Sequence, residues 1–460
     1  MRTKKFWQIC IPVLALLIGG ALGAYMNRAR MLNIINNPPV NTMPDSTTVK
    51  IDSTNLPIVF INTQGNEIER EEFVTAYVKI IDNGKDKLNY GDTLAYLNQK
   101  IDYEGYMAIK YRGNATWWTT KKKSYAIRAL DKSVEGKKKK SKLLGMRKGK
   151  KWALKAGAMD KSMIRDALTF ELARSYMDFV PQTRFCEVII DGVYRGVYSL
   201  EEQITADRLK LEKPGNEGDE MTGGYLFQIS AHSKDNGILS KHFNIKYSQE
   251  YPDSDKLSPA QKKYLCDYIN KVEKSLLSGD SLIFEHHIDI LSMIDYQLSS
   301  EFSLNGADAY ILSTFIYKYR DDNDSKLKFS LWDFDVAYGN DSRTFSRPNT
   351  WVYEVMNGWW KEAMKVPLYA DKVKSRWRQY RNEKYTDIRI NHVIDSLTNV
   401  LTACGAEQRN ADAWNSWNIR EWKSEIRTQK YLSSSYEDEI TYLKDWIRRR
   451  LEWMDKELLE

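Results

Sequence analysis

The stretch KLKFSLWDFDVAYGN, residues 326–340, alternates polar and apolar side chains up to Trp332, then sets Asp333 and Asp335 on either side of Phe334. Alternation of period two marks a half-buried strand. Aspartate is a poor strand former, and two carboxylates this close repel unless something positive lies between them. A turn that opens on Asp is one explanation. A divalent cation at the strand's tip is the other, and the rest of the chain has to decide.

Immediately upstream, TFIYKYR (314–320) and the polar turn DDNDS (321–325) complete a hairpin with this strand. Before the hairpin, IDILSMIDYQLSSEF (288–302) has Leu291, Ile294, Leu298 and Phe302 at helical spacing. Asn305-Gly306 closes that helix and presents Asp308 on a loop.

Further out, PIVFINT (57–63), TAYVKIID (75–82), YMAIKYRG (106–113), KKSYAIRAL (122–130) and GGYLFQIS (223–230) read as strands. FCEVIIDGVYRGVYSLEEQI (185–204) reads as two strands joined at Asp191-Gly192, a strong hairpin signal. A helix is expected over 161–177, with Ile164, Ala167, Leu168 and Glu171 on one face. A carboxylate on an apolar face needs a cationic partner. After Gly339 the chain is helical and rich in Trp, and its aromatics at helical spacing read as core.

The 460 residues, 42% hydrophobic and 28% charged, suit an ordinary globular protein. The net charge of +7 is local. Residues 131–155 hold eleven Lys and Arg against Asp131 and Glu135, so the remainder is slightly acidic. This run reads as a solvated loop, with an anionic substrate or phosphate site as the alternative, and no nucleic-acid partner is expected. Residues 1–26 carry Arg2, Lys4 and Lys5 before an apolar run from Ile9 to Met26, a signal peptide or an N-terminal anchor in the inner membrane. Export to the periplasm, envelope or surface follows. A polar linker spans 27–56. Only Cys186, Cys266 and Cys404 remain after the targeting segment, which gives no disulfide framework or cysteine-zinc site.

With five His and no H-E-x-x-H, a histidine-zinc hydrolase is not expected, and G-x-S-x-G and P-loop motifs are missing. What remains is an order of parts. Lys122 and Lys123 open a strand, Glu171 follows on a helix, and a hairpin ends in EEQI (201–204). A long helix then presents Asp308, and a short hairpin leads to Asp333. Protein kinases use such an order. A strand lysine paired with a helix glutamate holds the phosphates, a linker holds adenine, one Asp orients the hydroxyl and another binds Mg²⁺. ATP brings about four negative charges, so phosphoryl transfer needs a lysine and a metal to offset them. Arg112 and Asn114, in RGNATW, could reach phosphates. Glu202, in EEQI, belongs to the linker, which would contact adenine mainly through backbone groups.

Several collinear motifs carry a resemblance: YRGNATW, KKSYAIRAL, LLGMRKGKKWALKAGAMDKSMIRDAL (143–168), EVIIDGVYRGVYSLEEQI (187–204), TGGYLFQI (222–229) and WDFDVAYGN (332–340). Together they resemble the spore-coat protein H (CotH) kinase family, in its Bacteroidetes form, over about 57–345. The resemblance implies an α+β, atypical protein-kinase-like fold. It implies a β-rich nucleotide lobe (57–230), a catalytic and metal lobe (231–345) and a helical C-terminal region (346–460). It also implies ATP with Mg²⁺ or Mn²⁺, and transfer to Ser or Thr of an exported protein substrate. On it, Asp308 is the catalytic Asp, Asp333 the principal metal ligand, Lys122 or Lys123 the nucleotide lysine and Glu171 its partner. One position departs from the kinase template: Ser313 stands where the template has a metal-binding Asn, and Asp335 could compensate. The competing readings are a kinase-fold binding or assembly module without turnover, and a two-carboxylate hydrolase acting on surface glycans.

Overall fold

In the computed structural model the described residues are 49–460, apart from 133–135, 214–222, 231–236, 307, 323, 342–346 and 418–432. The expected targeting segment and most of the linker lie outside them. No helix among the described residues is long and apolar enough to cross a membrane.

Alternation in the first half of the chain closes a seven-stranded barrel. Its strands run in spatial order Ile58–Asn62, Val74–Ile81, Ile101–Arg112, Ser124–Ala129, Trp152–Lys155, Val193–Glu202 and Thr183–Ile190. Neighbours are antiparallel except at the seam, where Ile58–Asn62 and Thr183–Ile190 run parallel. Every second side chain points inward, so Val78, Ile80, Met107, Ile109, Ile127, Leu154 and Val188 share one core. At the expected hairpin Asp191 and Gly192 both take positive φ, 50° and 79°, as a two-residue primed turn requires. The Asp191 carboxylate accepts from Thr63 N at 2.8 Å and Thr63 Oγ1 at 2.9 Å, pinning the turn to the seam.

The strand Trp152–Lys155 has no counterpart in the sequence reading. All four of its residues are buried. Trp152 and Leu154 fill the barrel, while Ala153 packs outside against Phe179, Leu226 and Trp332. A strand covered on both faces shows no period.

The second half builds on that outer face. A five-stranded sheet runs Ile238–Leu239, Lys246–Tyr251, Tyr225–Ile229, Thr314–Lys318, Lys328–Ser330, so the strand expected to end the nucleotide lobe pairs here. The helix Pro259–Leu276 starts in a capping box of Ser258 with Gln261, and Ile290–Ser303 starts at Asp289, which accepts from Ser292 N at 3.0 Å. On the latter helix Ile294, Leu298 and Phe302 are buried as expected, but Leu291 is 56% exposed. One apolar cluster runs from Ile164 through Trp359, Trp360, Trp377 and Trp446 to Leu458. The fold is mixed α+β, with twelve helices among the described residues.

The helix expected over 161–177 forms only as Arg165–Ala173. A turn precedes it, because Asp160 accepts from Ser162 N at 3.0 Å and Arg165 N at 2.9 Å. Helices Ile290–Ser303 and Asp387–Thr402 pack against it. Glu171 is the one residue of the helix left partly exposed.

Candidate functional site

Three segments meet outside the barrel at Lys155. Trp152–Lys155 carries the lysine on its outer face. The helix Arg165–Ala173 carries Asp166 in its first turn, where the helix dipole favours an acid. The chain leaving Lys328–Ser330 carries Asp333. Lys155 Nζ donates to Asp166 Oδ2 at 2.5 Å and to Asp333 Oδ1 at 2.6 Å.

Asp333 holds φ 68°, a left-handed conformation that Asp tolerates better than most residues. Two bonds keep it there: Asn305 Nδ2 donates to Asp333 O at 2.9 Å, and Phe334 N donates to Asp166 Oδ1 at 2.6 Å. The Phe334 ring, edge-on to Phe170 at 6.2 Å, anchors the segment in the core. Asp308 follows the Ile290–Ser303 helix and accepts from Ser313 Oγ at 3.1 Å. Tyr310 (φ 71°) and Ser313 (φ 46°) follow it, so positive-φ residues gather on both carboxylate-bearing segments. Such backbone costs roughly 1–3 kcal/mol at each residue and clusters at functional sites.

Burial raises Asp308 well above the carboxylate range, and Asp333 and Asp335 add to the rise. Burial also pushes Asp335 up to about 8, with Lys155 opposing and Asp333 assisting. Burial would raise Asp333 too, but Lys155 in contact and Arg112 nearby outweigh it and hold it below the usual range. Burial would lower Lys155, but Asp166 first, then Asp333, Glu201 and Asp335, outweigh it and lift it well above an ordinary lysine. Glu201, fully buried, is pushed up to about 8 by burial and by Asp166. Neither of its carboxylate oxygens has a hydrogen-bond partner among the described residues.

Five carboxyls thus share two cations, Lys155 and Arg112. Hard oxygen donors in excess suit Mg²⁺ or Mn²⁺. Among the described residues no three His, Cys, Asp or Glu side chains converge as a ready metal site. Lys155 Nζ, 2.6 Å from Asp333 Oδ1, is the positive charge that this carboxylate meets. A narrow cavity lined by Lys155, Asp160, Asp166, Ser199 and Asp335 opens beside the pair.

The other expected site residues stand elsewhere. Lys122 is buried at the barrel's end, donating to Ala156 O at 2.7 Å, Asn410 Oδ1 at 2.8 Å and Val197 O. Burial lowers it to about 7. Lys123 donates to Trp117 O at 2.6 Å and Thr120 O at 2.5 Å. Both lysines satisfy backbone carbonyls at this end of the barrel, and their amines are not brought to Asp333. Glu171 faces out and pairs with Arg174 at 2.7 Å, and the carboxylate of this helix that meets Lys155 is Asp166. Glu202 is buried but committed to Arg147, accepting from its backbone N at 2.8 Å and its Nε at 2.9 Å. Arg112 lies over the Trp332 ring at 5.3 Å, and its buried Nη1 has no hydrogen-bond partner among the described residues. Asn114 is exposed at the start of the short Ala115–Thr119 helix and makes no capping bond with its side chain.

Sequence reasoning missed Lys155, Asp166 and Glu201. For Lys155 a signal existed. Trp152-Ala153-Leu154-Lys155 repeats the apolar–Ala–apolar–Lys pattern of the kinase strand lysine. Its place at the end of the basic run 131–155 masks that pattern. Asp166 and Glu201 had no local signal.

A family model described as CotH kinase protein matches residues 109–454. The match takes in Lys155, Asp166, Asp308 and Asp333. It also covers most of the C-terminal helices, beyond the 57–345 read from the motifs. No curated protein matches the chain.

Proposed function

This chain belongs to the CotH kinase family, and we propose that it transfers the γ-phosphate of ATP to Ser or Thr of an exported or surface protein. The observation that carries this reading is Lys155 bridging Asp166 and Asp333. In a kinase site the strand lysine must be steered by a helix carboxylate while facing the metal-binding Asp. On this reading Lys155 holds the phosphates, Asp166 orients Lys155, and Arg112, with Asn114 at the strand's exit, guides the triphosphate. Mg²⁺ or Mn²⁺, held by Asp333 and Asp335 with Ser313 alongside, would supply the charge that offsets the triphosphate.

Asp308 positions the acceptor hydroxyl and, ionised once a cation at Asp333 and Asp335 offsets their charge, would take its proton as the hydroxyl oxygen bonds to the γ-phosphorus. The bond from that phosphorus to the β–γ bridging oxygen breaks, and ADP leaves. The barrel plays the nucleotide lobe and the sheet with its helices the catalytic lobe, a kinase-like division of labour. Residues 1–26 take the chain across the inner membrane. One observation favours the reading without turnover: Ser313, the template's second metal position, gives its hydroxyl to Asp308.

The test is intact mass after incubating the full chain with ATP and Mg²⁺ or Mn²⁺. A phosphate-sized gain is expected, lost in Asp308→Ala, Asp333→Ala and Lys155→Met and kept in Lys123→Met. A gain that survives Lys155→Met overturns the assignment. No gain, together with no thermal stabilisation by nucleotide, favours the module without turnover.

A further inference from the structure

Arg165 stands one residue before Asp166 and is fully buried, which is uncommon for a side chain that keeps its charge. Its guanidinium pairs with Asp160, and Nη1 lies 2.9 Å from Glu439 Oε1. Nη1 also donates to Ser162 Oγ at 3.1 Å, while Nε donates to Ala337 O at 3.1 Å. One cation therefore ties three segments together. They are the turn between Lys155 and Asp166, the loop after Asp333 and Asp335, and the first turn of the C-terminal helix Tyr436–Leu459. Glu439 is itself fixed, accepting from Ser433 Oγ at 2.7 Å.

The C-terminal helix grips the same two arms of the site independently of Arg165. Tyr436 OH donates to Ser162 O at 3.0 Å, and Tyr442 OH donates to Gly339 O at 2.9 Å. Trp446 stands edge-on to Tyr338 at 6.1 Å. At Gly339, φ 74°, an added β-carbon would lie 2.4 Å from the Trp446 ring, so loop backbone and indole are in direct contact. The helix thus holds the arm that carries Asp166 and the arm that carries Asp333.

We propose that the C-terminal helix is a positioning element of the phosphotransfer site, acting through Glu439 and Arg165 on the spacing between the Lys155–Asp166 pair and Asp333. The inference rests on the phosphotransfer reading for its consequence but not for its mechanics. Asp166 must reach Lys155 and Phe334 N at once, and Arg165 fixes the turn from which Asp166 projects. Without Glu439 that turn loses its charged tie to the C-terminal helix and is left with the Tyr436–Ser162 bond. Transfer depends on alignment more steeply than nucleotide binding does, because a displacement of about 1 Å can cost roughly a hundredfold in rate.

The experiment compares hydrogen exchange and steady-state kinetics of the full chain with Glu439→Ala, Glu439→Gln and Tyr442→Phe. For Glu439→Ala, amides of 156–166 and 333–340 should exchange about tenfold faster while strands 101–112 and 124–129 keep their rates. Its kcat should fall about tenfold or more with KM for ATP little changed, and Glu439→Gln, which can still accept from Arg165, should restore most of both. Tyr442→Phe, a milder change, should loosen 333–340 alone, and it decides the matter if Glu439→Ala does not fold. Uniform acceleration across the barrel, or none in either arm, overturns the proposal. Loosening of the two arms in a chain that shows no phosphotransfer upholds the coupling and counts against the functional reading instead.

Discussion

Lys155 and Lys122 are both buried lysines near the end of the barrel, and their surroundings give them opposite characters. Lys155 faces carboxylates and is held charged. Among the described residues Lys122 faces neutral oxygens and the Tyr198 ring, and burial brings it down to about 7. Between about 7 and the ordinary value of 10.5 the unfolded chain therefore holds a proton at Lys122 that the folded chain does not. Stability contributed through this group rises with pH across that window. Urea midpoints at pH 7 and pH 9.5 should show a rise in the parent that Lys122→Met flattens. An equal rise in both would place the effect in another residue. Lys122→Met should keep phosphotransfer, whereas Lys155→Met should lose roughly a hundredfold or more, as happens when charge stabilisation is removed from a transition state. The sequence offered both lysines as bare letters. Charge neighbours separate them: Asp166 and Asp333 stand against Lys155, the one near it in the chain and the other far along it.

At the scale of elements, period and turn chemistry were legible where one face is wet. The strand Ser124–Ala129 alternates in burial as its sequence does. The Asp191-Gly192 hairpin forms where its dipeptide marks it. Asp191 also bonds Thr63 across the seam, so Asp191→Ala should cost about 1–3 kcal/mol, the price of two lost hydrogen bonds. Phosphotransfer should be unchanged at a temperature where both proteins are folded, and a midpoint shift in denaturant would measure the loss. Elements covered on both faces were illegible. Trp152–Lys155 has no alternation to read, and Arg165–Ala173 is packed nearly all round, so the expected apolar stripe misplaced Glu171. Helical spacing says which residues share a face. It does not say how many faces are covered.

For the whole molecule, the C-terminal helices are part of the core. Trp359, Trp360, Trp377 and Trp446 share one cluster with Leu168 and Phe334. A fully buried side chain of this size stabilises by about 1.5–3 kcal/mol or more, so losing four would consume most of a typical net stability of about 5–15 kcal/mol. A chain ending at residue 345 should therefore fail to fold. Size exclusion and near-ultraviolet circular dichroism would check this, and a folded monomer from such a chain would refute it. By itself the sequence determined the alternating strands, the two hairpins, the family and the two acidic segments around Asp308 and Asp333, because each rests on contacts or motifs local in the chain. Only the tertiary structure decided which lysine meets Asp333, which acid steers it and what holds the two together. Lys155 with Asp333 and Arg165 with Glu439 join residues more than a hundred positions apart, and even Lys155 and Asp166, eleven apart, meet between a strand and a helix; burial and charge act through space rather than along the chain.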